Sequence, residues 1–451
     1  MKKDARSTAL AVLDSVARSD TLATAVIRKE AEKFDLPPET TALANQLVMG
    51  VLRNRTFLDS VLSRAVEKSL PTGDRRLLDV MRLAAFEMLF LDAVPDYATV
   101  SAFVNLARAT KGPRIGGFVN AVLRKLSTMD RHQLRTSITA MEPEGRFSMP
   151  PWIISTARKA FGESWQQEME ALNSPAAIGI HVNPFLNTTA QLVLELADSG
   201  IEASTVPGMP LALTVSHKNH PYQTPAFVQG KFWPQDLASH LVAQLASSHP
   251  GPLWLDGCCG LGTKTLALAA RRQQGSIHAS DPNAGRIEAL QKRWKALRFP
   301  ASVSPSVASL LDLSDNGSFD MVLVDAPCSG LGTLRHHPEI RWRRTLEDIE
   351  RNSRLQAKLL NKAAGMLNHG AMLVYAVCSF APEEGPRLVQ SFLQQNPRFS
   401  PSNEARNEMA RINDQRRLAG LPEILMDEAG GISLPPTLLN SDAFYAAFLQ
   451  G

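Results

Sequence analysis

The sequence predicts a multidomain chain: an all-α domain over residues 1–135, a small α+β linker module over 136–230 and an α/β domain over 231–451. Three observations lead there. From Ala9 to Leu126 apolar residues recur at helical spacing, almost without strand signals. A polar connector, 128–150, then carries Glu142-Pro143-Glu144-Gly145 and Pro150-Pro151, and the pattern changes after it. From Pro252 onward, short apolar runs alternate with helical stretches, as in a doubly wound parallel sheet. A chain of 451 residues can hold about two or three such domains.

In the first domain Ala9, Val12, Leu13 and Val16 share one helix face, as do Leu43, Leu47, Val48, Val51 and Leu52. Pro37-Pro38, Pro71-Thr72-Gly73-Asp74 and Pro95-Asp96 break the pattern into about seven helices. Arg53, Arg55, Arg75, Arg76, Lys111, Arg114, Arg124 and Lys125 are basic, and several flank turns; as a set they point to RNA contact. In the module, helical stretches near 152–161 and 164–172 precede a strand from Ile178, a helix near 188–199 and short strands to about 228. Phe232 to Ser239 opens a further helix, with Asp236 near its first turn. Strands follow at Leu253 to Asp256, Ser276 to Asp281, Met321 to Asp325 and Ala371 to Val377, and helices at 263–273, 284–298, 345–368 and 385–395. The polar stretch 400–430 reads as a mobile insertion, and Asp442 to Leu449 as the last strand.

Composition is that of a globular protein, 44% hydrophobic and 20% charged. A net charge of +4 permits a nucleic-acid partner. No apolar stretch approaches a membrane span, and Met1-Lys2-Lys3-Asp4 leads into an amphipathic pattern rather than a signal peptide. The expected compartment is the cytoplasm. The four cysteines, Cys258, Cys259, Cys328 and Cys378, fit no zinc spacing, and a reducing cytosol argues against disulfides. No metal is expected.

Three stretches carry chemistry. The apolar run Met321 to Val324 ends in Asp325-Ala326-Pro327-Cys328, where Pro327 stops the strand and Ser329-Gly330 and Gly332 let the backbone bend. The first strand of the α/β domain runs into Asp256-Gly257-Cys258-Cys259-Gly260-Leu261-Gly262-Thr263-Lys264-Thr265, and Asp281 ends the second, where an acid commonly binds ribose hydroxyls. The dinucleotide fingerprint is not satisfied, and Lys264 falls one place too late for a P-loop. What remains is a cofactor with adenosine but no pyrophosphate, S-adenosylmethionine. In the third stretch an apolar strand again ends at Cys378-Ser379. Either cysteine alone reads as a small buried hydrophobe. Two at matching strand ends, beside Asp325 and a glycine-rich loop, point to catalysis.

Asp325 to Gly330, continued by Arg335 to Trp342, resembles the D-A-P-C-S-G…R-x-P-[DE]-x-x-W signature of RNA (cytosine-C5)-methyltransferases. Tyr375 to Ser379 with Pro382-Glu383-Glu384 is similar to their second cysteine motif, Phe232 to Ser239 to their Q-D-x-A-S motif, and Asp442 to Tyr445 to their closing D-G-F-F strand. The helical domain, ending in Gly117 to Arg124, resembles the NusB-like RNA-binding domain that precedes a Rossmann-like methyltransferase domain in bacterial 16S rRNA enzymes of the Sun/Fmu type. The resemblance covers essentially the whole chain. It implies transfer of a methyl group from S-adenosyl-L-methionine to C5 of a cytosine in 16S rRNA, by a monomer acting before subunit assembly is complete. It makes Cys378 the nucleophile, Cys328 the aid to product release and Asp325 the residue that holds the cytosine, with Lys264 between cofactor and base. Asp256, Cys258, Cys259, Gly260, Leu261, Gly262, Thr263 and Lys264, with Asp281, Ser306 and Asp325, border the implied cofactor site.

Departures from the family pattern are local. The family loop reads D-x-C-A-A-P-G-G-K-T, and here Cys259-Gly260-Leu261-Gly262-Thr263 replaces A-A-P-G-G, with Leu261 for Pro and Thr263 for a Gly. No acid ends the third strand, which leaves Ser306 or a backbone group for adenine. His181 stands where the family commonly has Arg, implying a weakened or pH-dependent RNA contact. Competing readings are a DNA cytosine-C5 methyltransferase with Cys328 as nucleophile, a methyltransferase for a different RNA, and a non-catalytic RNA-binding assembly factor. The second cysteine motif and the helical domain speak against the first of these, and retention of both cysteine motifs against the last.

Overall fold

The helical periodicity of the first domain becomes helices at Ala5–Val16, Ala23–Phe34, Pro38–Ala65, Arg75–Phe90, Asp96–Lys111 and Pro113–Ser127. The computed structural model describes residues 3–66, 69–92, 94–175, 177–216, 221–272, 274–299, 302–314 and 318–451. They fall into two units, one running to Ser155 and including His337–Arg344, the other holding the remainder. No helix among the described residues is long and apolar enough to cross a membrane.

In the helical unit the predicted faces form one core, with Leu47, Val48, Phe57, Leu83 and Phe103 nearly or wholly buried. Asp4 caps the first helix on the Ser7 amide, and Ser7 returns a bond to the Asp4 amide. At Gly50 any Cβ would lie 2.0 Å from Phe86 Cζ, so the absent side chain is what admits the ring. The buried Arg82 is held by Asp59 and Asp79, each at 2.7 Å. Several of the basic residues expected to meet RNA are engaged within this unit. Arg76 reaches Asp14 at 3.1 Å, Lys111 reaches Asp74 at 2.9 Å, and Arg55 lies over the Trp342 ring at 5.0 Å. Arg114, Arg124 and Lys125 are exposed.

His337–Arg344, which reads as part of the catalytic signature, packs with the helices instead. The helix Pro38–Ala65 leaves helical geometry at Asn54 (φ −115°, ψ 18°). Around that kink Trp342 Nε1 donates to the Leu52 carbonyl at 2.7 Å and Arg341 to the Arg53 carbonyl at 3.4 Å. Glu339 accepts from the Ala23 amide at 2.8 Å.

The second unit holds two sheets. The smaller has β1 (Ile178–Val182), β2 (Ala203–Val206), β3 (Met209–Val215) and β4 (Phe232–Pro234), antiparallel in the order β2-β3-β1-β4. The strands expected up to 228 stop earlier. Pro221–Gln223 is a 3-10 turn and Pro225–Val228 a short helix, because their prolines cannot donate to a ladder. His181 is also not an RNA contact. It is fully buried, stacked on Trp233 at 4.2 Å between centroids. Arg271 meets His181 Nε2 and His240 Nε2, each at 2.8 Å.

The larger sheet has β5 (Leu253–Asp256), β6 (Ser276–Asp281), β7 (Ser302–Val307), β8 (Phe319–Asp325), β9 (Leu367–Val377), β10 (Ser400–Pro401), β11 (Gly431–Leu434) and β12 (Phe444–Gln450). Its order is β10-β12-β9-β8-β5-β6-β7, with β11 on β12. The expected parallel sheet is a mixed one: β5 to β9 are parallel, whereas β12 runs antiparallel to β9. Alternate residues serve opposite faces. Trp254, Met321 and Leu323 enter one core; Leu255, Val322 and Val324 enter the other. The expected mobile insertion is in fact ordered. Asn403–Leu418 is a helix capped by Ser402, and Ala405, Met409 and Ile412 bury one face of it in the core; an otherwise polar composition hides that spacing.

Burial holds the imidazoles of His181 and His240 well below their ordinary range, so both are neutral when folded. Unfolded histidines protonate near pH 6.5, so this contribution to stability is present above that pH and is lost as pH falls through it. Each group can weigh up to about 1.4 kcal/mol per pH unit. The expected outcome is that His240→Gln, which keeps an acceptor for Arg271, loses less stability than the parent between pH 7.5 and 5.5. Urea midpoints at the two pH values check this, and equal losses would remove His240 from the account.

Candidate functional site

Strand order reverses between β5 and β8, and ligands of doubly wound folds bind at the carboxyl ends beside such a reversal. The loop after β5 is anchored to both neighbouring strands. The Gly257 amide donates to the Leu323 carbonyl at 2.9 Å and the Cys259 amide to the Ser280 carbonyl at 3.0 Å. Gly260 and Gly262 adopt φ of +55° and +79°. A Cβ at Gly262 would come 2.2 Å from Leu290 Cδ1. Thr263, by contrast, opens the right-handed helix Thr263–Ala270, where a side chain is no obstacle, and Leu261 stands 54% exposed. Leu261 and Thr263 therefore avoid the left-handed positions of the loop, whereas Gly260, where the family has Ala, takes one of them.

Asp256 is fully buried, and its Oδ2 accepts from Thr265 Oγ1 at 2.6 Å. Burial pushes its carboxyl up to about 7. Asp281 ends β6 and accepts from the amides of Gly260 (3.1 Å) and Asn283 (2.8 Å) and from the half-exposed Arg286 (3.2 Å). Ser306 is exposed near the end of β7, in register with Ser280. Burial raises the thiols of Cys258 and Cys259, which favours their neutral form. Glycines that admit close approach, Asp281 at a strand end and a buried Asp256 Oδ1 without a hydrogen-bond partner together fit an adenosine-bearing cofactor.

Beside this loop, β8 and β9 bring Cys328 Sγ to 3.3 Å from Cys378 Sγ. The hydrogen bond to Cys378, and then burial, hold the Cys328 thiol well above its usual range. Lys264 Nζ lies 2.6 Å from Asp325 Oδ2 and 5.0 Å from the centre of the Phe444 ring. Burial works to lower the Lys264 ammonium, but Asp325 outweighs it and the net shift is upward.

The scaffold behind the cysteines escaped the sequence reading. Glu384, fully buried, accepts from the Ser329 amide at 2.8 Å and from the Ser329 and Ser379 hydroxyls at 2.5 and 2.6 Å. Gln356 donates to both the Pro327 carbonyl (2.8 Å) and Glu384 (3.2 Å). In sequence Glu384 stands only as the last residue of Pro382-Glu383-Glu384, with a serine after each cysteine as the further hint. Gly332 closes the arrangement: its amide donates to the Cys378 carbonyl and its carbonyl accepts from the Ala443 amide, both at 3.0 Å. Asp236 caps Leu237–Ala246 and also accepts from the Asp442 amide at 3.0 Å.

Comparison with known proteins agrees with this architecture. Residues 243–450 match the family model for the 16S rRNA methyltransferase RsmB/F, 3–128 the NusB family and 149–220 the RsmF/B-like ferredoxin-like domain. Ribosomal RNA small subunit methyltransferase B of Vibrio cholerae is 31% identical over 368 residues, covering 81% of this chain and 84% of the relative. The Vibrio vulnificus protein of the same name is 30% identical over 383 residues, 85% and 88% of the two chains. The chain belongs to the ribosomal RNA small subunit methyltransferase B family.

Members of this family are S-adenosylmethionine-dependent RNA methyltransferases, and this chain is one. The crystal structure of PH0851 shares the fold over 100% of both chains, with a TM-score of 0.78 at 21% identity. In this member of the methyltransferase B family, Glu384→Ala leaves an amide and two hydroxyls without their acceptor where water does not reach. The expected cost is roughly 2–5 kcal/mol in denaturant unfolding, with Glu384→Gln losing less. A Glu384→Ala protein within about 0.5 kcal/mol of the parent would show that the carboxylate does not hold the loops.

Proposed function

We propose that the chain methylates C5 of a cytosine in 16S rRNA, in the cytoplasm and as a monomer, before subunit assembly is complete. The observation that carries this reading is the Cys328–Cys378 pair, 3.3 Å between sulfurs, beside the Lys264–Asp325 ion pair. Cytosine C5 is a poor nucleophile until a thiolate adds to C6, so a cysteine that forms and later breaks a C6–S bond divides one hard step into easier ones. Cys378 takes that part. In support, Cys328 is held as a neutral thiol by its hydrogen bond to Cys378 and by burial, which leaves the attacking part to Cys378.

Asp325, about a third exposed and anchored by Lys264, holds the N3/N4 edge of the base. Bound S-adenosylmethionine supplies an electrophilic methyl group; Asp256, Cys258, Cys259, Gly260, Leu261, Gly262, Thr263, Lys264, Asp281, Ser306 and Asp325 would hold it. After methylation at C5 a base, water or a basic side chain, takes the C5 proton; the C5–H electron pair restores the C5–C6 double bond and the C6–S bond breaks to return Cys378 as a thiolate. Cys328 assists that release. The cytosine must leave its stack to reach the thiol, which favours a looped or single-stranded site. Arg114, Arg124 and Lys125 are the exposed cations of the helical unit offered to RNA phosphates.

With tritiated S-adenosylmethionine, the parent protein is expected to label 16S rRNA that lacks the modification. Cys378→Ala should cut turnover by roughly a thousandfold or more. Cys328→Ala should instead accumulate a covalent protein–RNA adduct visible on a denaturing gel. The reverse pattern would transfer the nucleophile to Cys328, and absence of labelling would sink the reading. Bisulfite mapping with and without the gene locates the nucleotide.

A further inference from the structure

The carboxyl edge of the larger sheet presents Asp281, Asp256, Cys328 and Cys378 in order on β6, β5, β8 and β9. β12 comes next, and because it runs antiparallel its first residues, Phe444 and Tyr445, stand at the same edge. Beyond them lies a cleft of about 920 Å³, bounded by Ser379 to Pro382, β11, the start of β12 and the end of the helix Pro151–Phe161. That volume falls within the roughly 300–1,000 Å³ of small-ligand clefts.

The lining is aromatic and apolar. The Phe161 and Phe380 rings meet with centroids 5.1 Å apart, and Leu425 is 76% exposed. Phe444 lines the cleft and its ring also faces Lys264, so cleft and cysteine site share a wall. The buried Tyr445 adds its ring to this lining. Lys159 and Arg387 line it with Glu423 and Asp427, and Arg387 is paired with Glu383 at 2.7 Å, so the charges at its rim balance.

We propose that this cleft holds a second nucleobase of the RNA substrate, one of the two neighbours of the target cytosine, against Phe161 and Phe380. The inference rests on the function proposed above and names a further contact of that site. Drawing a cytosine out to Cys378 strips its neighbour of a stacking partner. An aromatic cleft that begins one residue past Cys378 replaces that stacking.

The test uses the full chain and a 16S rRNA hairpin containing the unmethylated target cytosine, intact or with an abasic site at its 5′ or 3′ neighbour. One abasic site is expected to lower kcat/KM of the parent protein by roughly 5- to 100-fold, mainly through KM. Phe161→Ala should lose a similar factor on intact RNA and little more on the abasic hairpin. Leu425→Glu, at an exposed position that should not disturb folding, should weaken the intact hairpin while leaving S-adenosylmethionine affinity unchanged. Tolerance of both abasic sites by the parent protein overturns the inference alone. So do losses that multiply in Phe161→Ala, or two variants that methylate normally, as a protein-docking surface would give. No labelling of the intact hairpin by the parent protein overturns the function proposed above, and the inference with it.

Discussion

The arrangement at the sheet edge depends on one buried carboxylate. Glu384 sits in the loop after β9, yet it accepts from the backbone and hydroxyl of Ser329 in the loop after β8. It also takes the Ser379 hydroxyl, next to Cys378. Each cysteine is thus one residue from a serine bound to the same side chain. Such bonds are strong because acceptor and donors are shielded from water, and each would be costly to leave unmade. Gln356, Gly332 and the Ala443 amide extend the network to Pro327 and to the start of β12. Loops of free backbone would not keep two thiols 3.3 Å apart.

The charges divide along the same edge. Burial favours neutral Asp256, Cys258, Cys259 and Cys328, while the Lys264–Asp325 pair keeps a fixed cation and anion between the cofactor loop and the cysteines. Burial alone would discharge Lys264; its partner prevents that.

Much of this was legible in the chain. The three-part organisation followed from a change of hydrophobic period, and the strand ends at Asp256, Asp281, Asp325 and Cys378 were readable because an apolar run stopped at a polar residue. Other features were not. His181 reads as a surface residue by comparison with an arginine, but it lies between Trp233 and Arg271. Asn403–Leu418 reads as an insertion because only Ala405, Met409 and Ile412 mark its apolar buried face in a polar background. His337–Arg344 follows the Cys328 loop in sequence and folds with the helices, because Trp342 and Arg341 find carbonyls at the Asn54 kink.

Local sequence determined the class of each element, the chemistry at its end and the glycine positions where the cofactor loop turns left-handed. Those properties depend on residue type and short-range spacing, which the chain carries directly. Tertiary structure alone decided that Cys328 and Cys378, fifty residues apart, share one edge, that Glu384 ties them, and that β12 turns back to set Phe444 beside Lys264. Strand order and direction arise from which surfaces bury best against one another, and no local pattern encodes that choice.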